Sequence, residues 1–246
     1  MFQGSSTFYE AMYVVGFAIM MVYNVGNYKR YNLKKKEAIV YTLYTYVCGI
    51  VGAIAMGLIY NKVHEALGIA TYSNVAIMGA VVFTPVLFFL FPVSKGNRKN
   101  ALDMITPGVL EILACAKFGC FINGCCRGIV SEFGICYREE TVKHFPIQAV
   151  EVLIMLLILF VTQFCFKKSK HYTVGTAYPI TFAVYCASRF ISEFFRYYED
   201  PRQKDILCSM TFWQLLCIVV FVVFVLTVVF MKLHSKKSVV AEKNSE

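Results

Sequence analysis

The chain has 246 residues, of which 58% are hydrophobic and only 16% are charged, and Phe and Tyr together number 38. This composition excludes an ordinary soluble domain and is typical of a protein that crosses a membrane several times. The formal net charge of +9 does not require a nucleic-acid partner, because basic residues orient membrane proteins and contact anionic lipid headgroups. Residues 1–7 contain no basic residue, so the first apolar stretch lacks the start of a signal peptide and is predicted to be a span.

Apolar stretches recur along the whole chain. A helix needs about 20 apolar residues to cross a bilayer core about 30 Å thick. Seven stretches roughly meet this length: 8–25, 38–60, 75–93, 104–123, 147–166, 173–195 and 211–231. We therefore predict an all-α integral membrane protein of about seven transmembrane helices, with a single polytopic membrane domain over residues 1–231. Residues 232–246 are predicted to form a short, charged, disordered tail.

The basic residues between the predicted spans are distributed unequally. Fifteen Lys and Arg residues lie on one side, in loops 26–37, 94–103 and 167–172 and in the tail, and seven lie on the other. The positive-inside rule therefore predicts an external N-terminus and a cytoplasmic C-terminus. In that orientation the long loop 124–146 is external.

The fourth predicted span ends in an unusual stretch, residues 116–128. This stretch combines Lys117 near the membrane boundary with Asn123, three glycines and three cysteines. A Lys at such a depth either reaches water or serves a site, and glycine allows a ligand to approach the backbone closely. Glu111, earlier in the same span, is either a functional carboxylate or part of a helix–helix hydrogen bond.

The start of the fifth span carries a second polar group. Pro146 suits the first turn of a helix, and Gln148 and Glu151 are spaced so that they share one helical face. His144, the only histidine of the outer loop, is the obvious proton carrier there near neutral pH. The alternative is an ordinary helix start with a solvated histidine.

The end of the sixth span carries a third polar group. Arg189, Glu193 and Arg196 are spaced i, i+4 and i+7, so a continuous helix would place them in one charged stripe. An unpaired Arg inside a span costs about 2.5–3.5 kcal/mol on insertion scales, and Glu193 is positioned to pair Arg189. Either the stripe is a structural ion pair, or its two arginines form a receptor for a phosphate group.

Four cysteines cluster in the sequence near the outer face: Cys120, Cys125, Cys126 and Cys136. Their C-x4-C-C-x9-C spacing is not a standard zinc or iron–sulfur pattern, so no metal site is predicted. One or two disulfides, or a thiol redox site, are the alternatives.

The order of these motifs resembles that of the prolipoprotein diacylglyceryl transferase family, seven-span enzymes of the bacterial plasma membrane. The family's G-R-x-G-N-F-x-N-G-E-x-x-G signature is similar to residues 117–128, its H-P-x-Q-x-x-E motif to residues 146–151 and its R-x-x-x-E-x-x-R motif to residues 189–196. Phe8 and Tyr9 resemble the aromatic pair that opens the family's first span. The resemblance extends over nearly the whole chain.

Several signature positions differ from the family pattern. Lys117 stands where the family has Arg, Cys120 where it has Asn, and Cys125 where it has Glu. The family's third-span His has no counterpart in residues 73–79, and the His before Pro is shifted one place, to His144. The chain thus looks like a divergent branch with a G-C-F-x-x-G-C-C-x-G form of the signature.

The resemblance implies an enzyme of lipoprotein biosynthesis. Such an enzyme transfers a diacylglyceryl group from phosphatidylglycerol to the thiol of a lipobox cysteine and releases glycerol phosphate. The positions implied to be catalytic are Arg189, Glu193, His144, Lys117 and Tyr9. The positions implied to bind substrate are Asn123, Gly124, Gly128, Gln148, Glu151 and Arg196. The expected partners are phosphatidylglycerol, prolipoprotein signal peptides and membrane lipids, with no nucleic acid and no cofactor.

Two readings of another kind remain open on the sequence. The altered signature is compatible with a non-catalytic or repurposed lipid-binding relative. The outer cysteines are compatible with a membrane thiol–disulfide redox protein.

Overall fold

Seven α-helices and one short antiparallel sheet make up the described part of the chain. The structure, a computed structural model, describes residues 6–69, 75–90, 97–137, 141–165, 168 and 172–243. The helices are α1 Ser6–Asn27, α2 Lys35–Ala66, α3 Met78–Leu90, α4 Arg98–Asn123, α5 Ile147–Phe160, α6 Ala177–Ser192 and α7 Phe212–Lys243. The strands are β1 Val130–Cys136 and β2 Lys143–His144.

Each of the seven apolar stretches coincides with one helix. Five helical segments are long and apolar enough to cross a membrane: α1, α2, α4, α7, and α5 together with the π-helical turn that continues it to Phe164. Helix α3 is apolar but has only 13 residues. The α-helical membrane class is therefore supported, whereas seven crossings and the orientation stay predictions. The predicted span ends at residues 93 and 166 lie outside the described residues, as do residues 73–74.

Helix α4 is the central element of the bundle. Most of its residues are buried, and it packs against α1 on one side and α5 on the other. Close approach of helices relies on small residues, since Gly108 of α4 lies against the Met20 side chain of α1. In the same way, a Cβ added at Gly52 of α2 would lie 2.6 Å from the Gly79 carbonyl oxygen of α3, as expected for helices that pack through glycine.

A buried carboxylate joins α4 to the start of α6. Asp103 accepts hydrogen bonds from the backbone N–H groups of Gly175 (2.7 Å) and Ala177 (3.0 Å), and from the Tyr172 hydroxyl. The first N–H groups of a helix have no partner within it, so Asp103 satisfies that of Ala177, the first residue of α6, from a neighbouring helix. This contact fixes α6, which carries Arg189, against α4, which carries Lys117.

The non-helical segments hold one unpredicted sheet and one corrected prediction. Within loop 124–146, β1 and β2 pair, with an irregularity between Val130 and Ile135. The tail expected to be disordered instead continues α7 to Lys243. Its Lys, Ala and Glu residues are good helix formers, so charge alone does not end the helix.

Candidate active site

Five charged side chains meet where α4 and α6 end and α5 begins. We call Lys117, Glu151, Arg189, Glu193 and Arg196 the charge cluster. Glu151 is its centre, because its carboxylate lies 2.8 Å from Lys117 Nζ, 3.0 Å from Arg189 Nη1 and 3.2 Å from Arg196 Nη2. All five side chains are buried, with Glu151 only 4% exposed and Glu193 2%.

The charge cluster contains a second carboxylate that faces the arginines. The expected ion pair is present, since Arg189 Nη1 lies 2.5 Å from Glu193 Oε2. Glu193 is held in turn by the hydroxyl groups of Tyr198 and Thr211, which both donate to Oε1. The cluster therefore holds three cations and two carboxylates, an excess of one positive charge.

The arginines are not fully engaged by these carboxylates. Every ion pair and hydrogen bond that Arg189 makes within the described chain involves Nη1. Arg196 Nε is buried without a hydrogen-bond partner among the described residues, and its distance of 3.6 Å to Glu193 Oε2 is too long for one. Buried N–H donors without partners are uncommon, so these groups are available to an anionic ligand.

The arginines do not form the single helical stripe that the spacing predicted. Helix α6 ends at Ser192, a 3-10 turn covers Glu193–Phe195, and Arg196 has an extended backbone with ψ of 141°. The reason is tertiary: the Ile129 N–H donates to the Phe195 carbonyl at 2.9 Å, and the Tyr197 N–H to the Arg127 carbonyl at 3.1 Å. This backbone pairing, rather than a helix, positions Arg196.

Three cysteines lie beside the charge cluster, and we call Cys120, Cys125 and Cys126 the thiol cluster. Their Sγ atoms all lie within 4.8 Å of one another. The thiols are free, as is that of Cys136, which lies on β1 outside the thiol cluster. Arg196 lies close enough to the Cys126 thiol to act on it electrostatically.

Sequence comparison identifies the family. The profile of the prolipoprotein diacylglyceryl transferase family matches residues 4–230. The chain belongs to the prolipoprotein diacylglyceryl transferase family.

Individual relatives are distant. A phosphatidylglycerol–prolipoprotein diacylglyceryl transferase of Dehalococcoides mccartyi strain BAV1 is 26% identical over 171 residues, as is that of strain CBDB1. The protein of the same name from strain 195 is 25% identical over 168 residues. These matches cover 60% of this chain and 64% of the relatives' length, so the chain spans just under two thirds of the relatives it matches.

The family signature forms the end of α4 and the turn after it. Gly124 caps α4 in the left-handed region, with φ of 69°, and packs against Tyr137. The Gln148 amide donates to the Cys125 carbonyl at 2.7 Å, and the Tyr137 hydroxyl lies 3.4 Å from Gln148 Oε1. Gln148 therefore holds the signature turn rather than the charge cluster.

His144 and Gly128 link this turn to Arg196. His144 is buried, and its Nδ1 lies 2.8 Å from the Gly128 carbonyl oxygen. Because a carbonyl only accepts, Nδ1 carries the proton and Nε2 is the basic nitrogen of the neutral ring. Gly128 itself pairs with Arg196 as an isolated β-bridge, so the predicted base belongs to the same framework as the cations.

Some predicted residues lie at the edge of the site or away from it. Tyr9 of α1 packs on Gly119 and bonds the Tyr13 hydroxyl at 2.6 Å, close to the thiol cluster. Asn123 is the half-buried last residue of α4. Glu111 lies further back on α4, where no ion pair joins it to the charge cluster within the described chain.

Sequence reasoning did not single out three hydroxyl groups that orient the carboxylates. Ser192 donates to Glu151 Oε1 at 3.0 Å, while Tyr198 and Thr211 contact Glu193. Ser192 lies three residues after Arg189, which is the only signal that could have suggested it. Thr211 follows the loop after α6, so nothing in its local sequence connects it to Glu193.

Electrostatics at the turn favour a thiolate at Cys126 but not at Cys125. The hydrogen bond with Cys120 lowers the pKa of the Cys125 thiol, but the hydrogen bond to Cys126 and burial outweigh it and raise that pKa to about 11. The pKa of the Cys126 thiol lies well below its usual range, first because the Cys120 and Cys125 thiols hydrogen-bond it and then because Arg196 and Lys117 lie nearby. A thiolate is both the nucleophilic and the metal-binding form of cysteine. The thiol cluster and the charge cluster therefore form one electrostatic unit.

Proposed function

We propose that this chain transfers the diacylglyceryl group of phosphatidylglycerol to the lipobox cysteine thiol of a prolipoprotein. Membership of a transferase family and the names of the relatives support the reaction class. The proposal further implies a multi-pass protein of the bacterial plasma membrane, with the charge cluster at the outer face, where secreted prolipoproteins emerge.

The excess cation of the charge cluster is the observation that carries this proposal. Three buried cations face only two carboxylates, and the phosphodiester of phosphatidylglycerol brings one negative charge. Binding it would balance the charge of these five side chains, and protonation of the neighbouring Cys126 thiolate would keep the whole buried site neutral, which matters because an uncompensated buried charge is costly. The Arg189 and Arg196 donors without partners supply directional hydrogen bonds to phosphate oxygens.

The same arrangement suits the transition state. The acceptor sulfur bonds to the diacylglycerol carbon that carries the phosphate, the bond from that carbon to oxygen breaks, and the oxygen leaves with the electron pair as glycerol phosphate. Negative charge thus grows on the phosphate, where Arg189, Arg196 and Lys117 bind it more strongly as it forms. His144 Nε2 is the proposed acceptor of the thiol proton.

Transfer of labelled diacylglycerol from phosphatidylglycerol to a lipobox peptide in nanodiscs tests the proposal. Arg189→Ala removes the guanidinium group proposed to bind the phosphate and should abolish transfer. Arg189→Lys keeps the positive charge but loses the paired N–H donors of the guanidinium. Loss of one donor to the transition state typically lowers the rate about 100–1000-fold, and we expect a decrease of that size.

Arg202→Ala is the matched control. Arg202 is exposed and pairs with Asp200 in the loop after α6, so its loss should leave the rate unchanged. Full activity of Arg189→Ala would overturn its assignment to the phosphate. Absence of transfer by the unmutated chain, with suitable lipid and peptide, would instead favour a non-catalytic lipid-binding relative.

A further inference from the structure

The thiol cluster is a compact donor set built by a helix end. Cys120 lies in the last turn of α4, and the Gly124 cap turns the chain so that the Cys125 N–H donates to the Cys120 carbonyl at 3.2 Å. Cys126 then adopts a positive φ of 57°, which is uncommon for a residue other than glycine. The outcome is three Sγ atoms within 4.8 Å of one another.

The distances suit a thiophilic metal ion. Zinc binds thiolate sulfur at about 2.3 Å, so thiolates that share a tetrahedral zinc lie about 3.8 Å apart. Small side-chain rotations of the three cysteines would meet that spacing. Among the residues that the structure describes, no carboxylate or imidazole joins the group, so the donor set is purely soft and favours zinc over magnesium or calcium.

Positive charge lies next to the proposed ligands. Lys117 lies one turn before Cys120 on α4, and both Arg196 and Lys117 act electrostatically on the Cys126 sulfur. Three thiolates and one Zn²⁺ sum to a single negative charge, which is compatible with neighbouring cations.

We propose that Cys120, Cys125 and Cys126 bind one zinc ion, and that its fourth coordination position takes the acceptor thiol of the substrate. The second half of this proposal rests on the proposed function. Sites with three protein ligands leave one position for water or substrate, whereas structural zinc sites are closed by four. The exposed position of Cys126 would open this site to an incoming thiol.

Binding to a metal ion would activate the acceptor thiol for the transfer reaction. A thiol is a poor nucleophile, but a thiol that coordinates a metal ion is deprotonated. The acceptor would release its proton to His144 or water and bind as a thiolate. Its sulfur would then bond to the diacylglycerol carbon as the carbon–oxygen bond breaks toward glycerol phosphate. No electron is transferred, and zinc keeps its oxidation state.

Cobalt substitution tests metal binding without any transfer assay. The reduced, metal-free chain in detergent should bind one equivalent of Co²⁺, with an intense sulfur-to-cobalt charge-transfer band and the visible bands of a tetrahedral site, and Zn²⁺ should displace it. Cys126 is exposed, so Cys126→Ser should leave the fold intact. Loss of a residue that only supports a metal ligand lowers metal affinity about 10–100-fold, and loss of the Cys126 ligand itself should lower the affinity for Co²⁺ by more than that.

Cys136→Ser is the matched control, because Cys136 lies outside the thiol cluster and its loss should leave the cobalt bands unchanged. Absence of the bands, their persistence in Cys126→Ser, or a disulfide within the thiol cluster of the chain as purified would overturn the zinc site.

Adding a lipobox peptide thiol separates the two halves of the proposal. The visible bands should shift with the peptide and stay unchanged with its Ser counterpart. Unshifted bands would overturn the acceptor role and leave the metal site. A chain that binds cobalt and the thiol but transfers no lipid would overturn the proposed function alone.

Discussion

Glu151 is the shared partner of Lys117, Arg189 and Arg196, so one carboxylate contacts all three cations, although the two arginines also face Glu193. Such sharing makes the charge cluster sensitive to a single substitution. Breaking a buried ion pair by removing one partner costs about 3–5 kcal/mol, because the other charge stays buried and unpaired.

Glu151→Gln is therefore expected to lower the free energy of unfolding by at least about 3 kcal/mol, although glutamine has nearly the same shape. Denaturant unfolding in detergent measures the loss. Phosphatidylglycerol should raise the melting temperature of this variant more than that of the unmutated chain, since the lipid phosphate can replace the missing anion.

Glu65→Gln is the control for charge alone. Glu65 pairs with Lys62 on the exposed surface of α2, and its loss should leave the melting temperature unchanged. Equal melting temperatures for Glu151→Gln and Glu65→Gln would contradict the central role of Glu151.

How far the sequence predicts the site differs from residue to residue. The pairing of Arg189 with Glu193 was predictable, because four residues separate them and the chain still makes a helical turn where α6 ends. The role of Glu151 as common partner was not, since it depends on how α4, α5 and α6 pack. Its position on the same face as Gln148 suggested a shared task, yet Gln148 contacts Cys125 and Glu151 contacts the cations.

At the scale of elements, apolar length predicted the helices well and the sheet not at all. All seven apolar stretches form helices, because backbone groups in an apolar environment must be satisfied within the segment. The strands β1 and β2 were missed because β2 has only two residues and its pairing is tertiary. The capping of α6 by Asp103 was missed for the same reason, since the partners lie on separate helices.

The pairing of residues 127–129 with 195–197 leads to a prediction about Gly128. A Cβ at this position would lie 2.5 Å from the Phe145 carbonyl oxygen and 2.9 Å from that of Phe195. Gly128→Ala must therefore separate the two backbone segments and displace Arg196. We expect faster hydrogen exchange at the Ile129 and Tyr197 amides, measured by mass spectrometry, together with loss of lipid transfer.

Gly26→Ala provides the comparison. A Cβ at Gly26 of α1 would meet nothing within 4 Å, so exchange and transfer should both stay unchanged. Unaltered exchange at Ile129 and Tyr197 in Gly128→Ala would show that the pairing does not depend on the glycine.

At the scale of the whole molecule, the unequal basic loops predict the orientation of the bundle. Fifteen Lys and Arg residues on one side against seven on the other favour a cytoplasmic position for loop 26–37. In a chain whose native cysteines are replaced, Lys35→Cys should react with an impermeant maleimide only after the membrane is permeabilised.

Phe133→Cys should react in intact cells, because Phe133 lies in the loop predicted to be external and is 90% exposed. Labelling of position 35 in intact cells would reverse the orientation, and with it the side on which the charge cluster opens.

The sharing of Glu151 also has a consequence for how the chain is assembled during synthesis. Lys117 leaves the ribosome before its carboxylate partner exists, whereas Arg189 and Arg196 arrive after Glu151 is already available. The first helix pair to carry a buried charge, α1 with α4, must therefore hold Lys117 near water until α5 enters the bilayer. In a nascent chain stalled just before Glu151, the Lys117 amine should react with acylating reagents. Once synthesis has continued past α5, Glu151 should pair with Lys117 and protect its amine from the reagent.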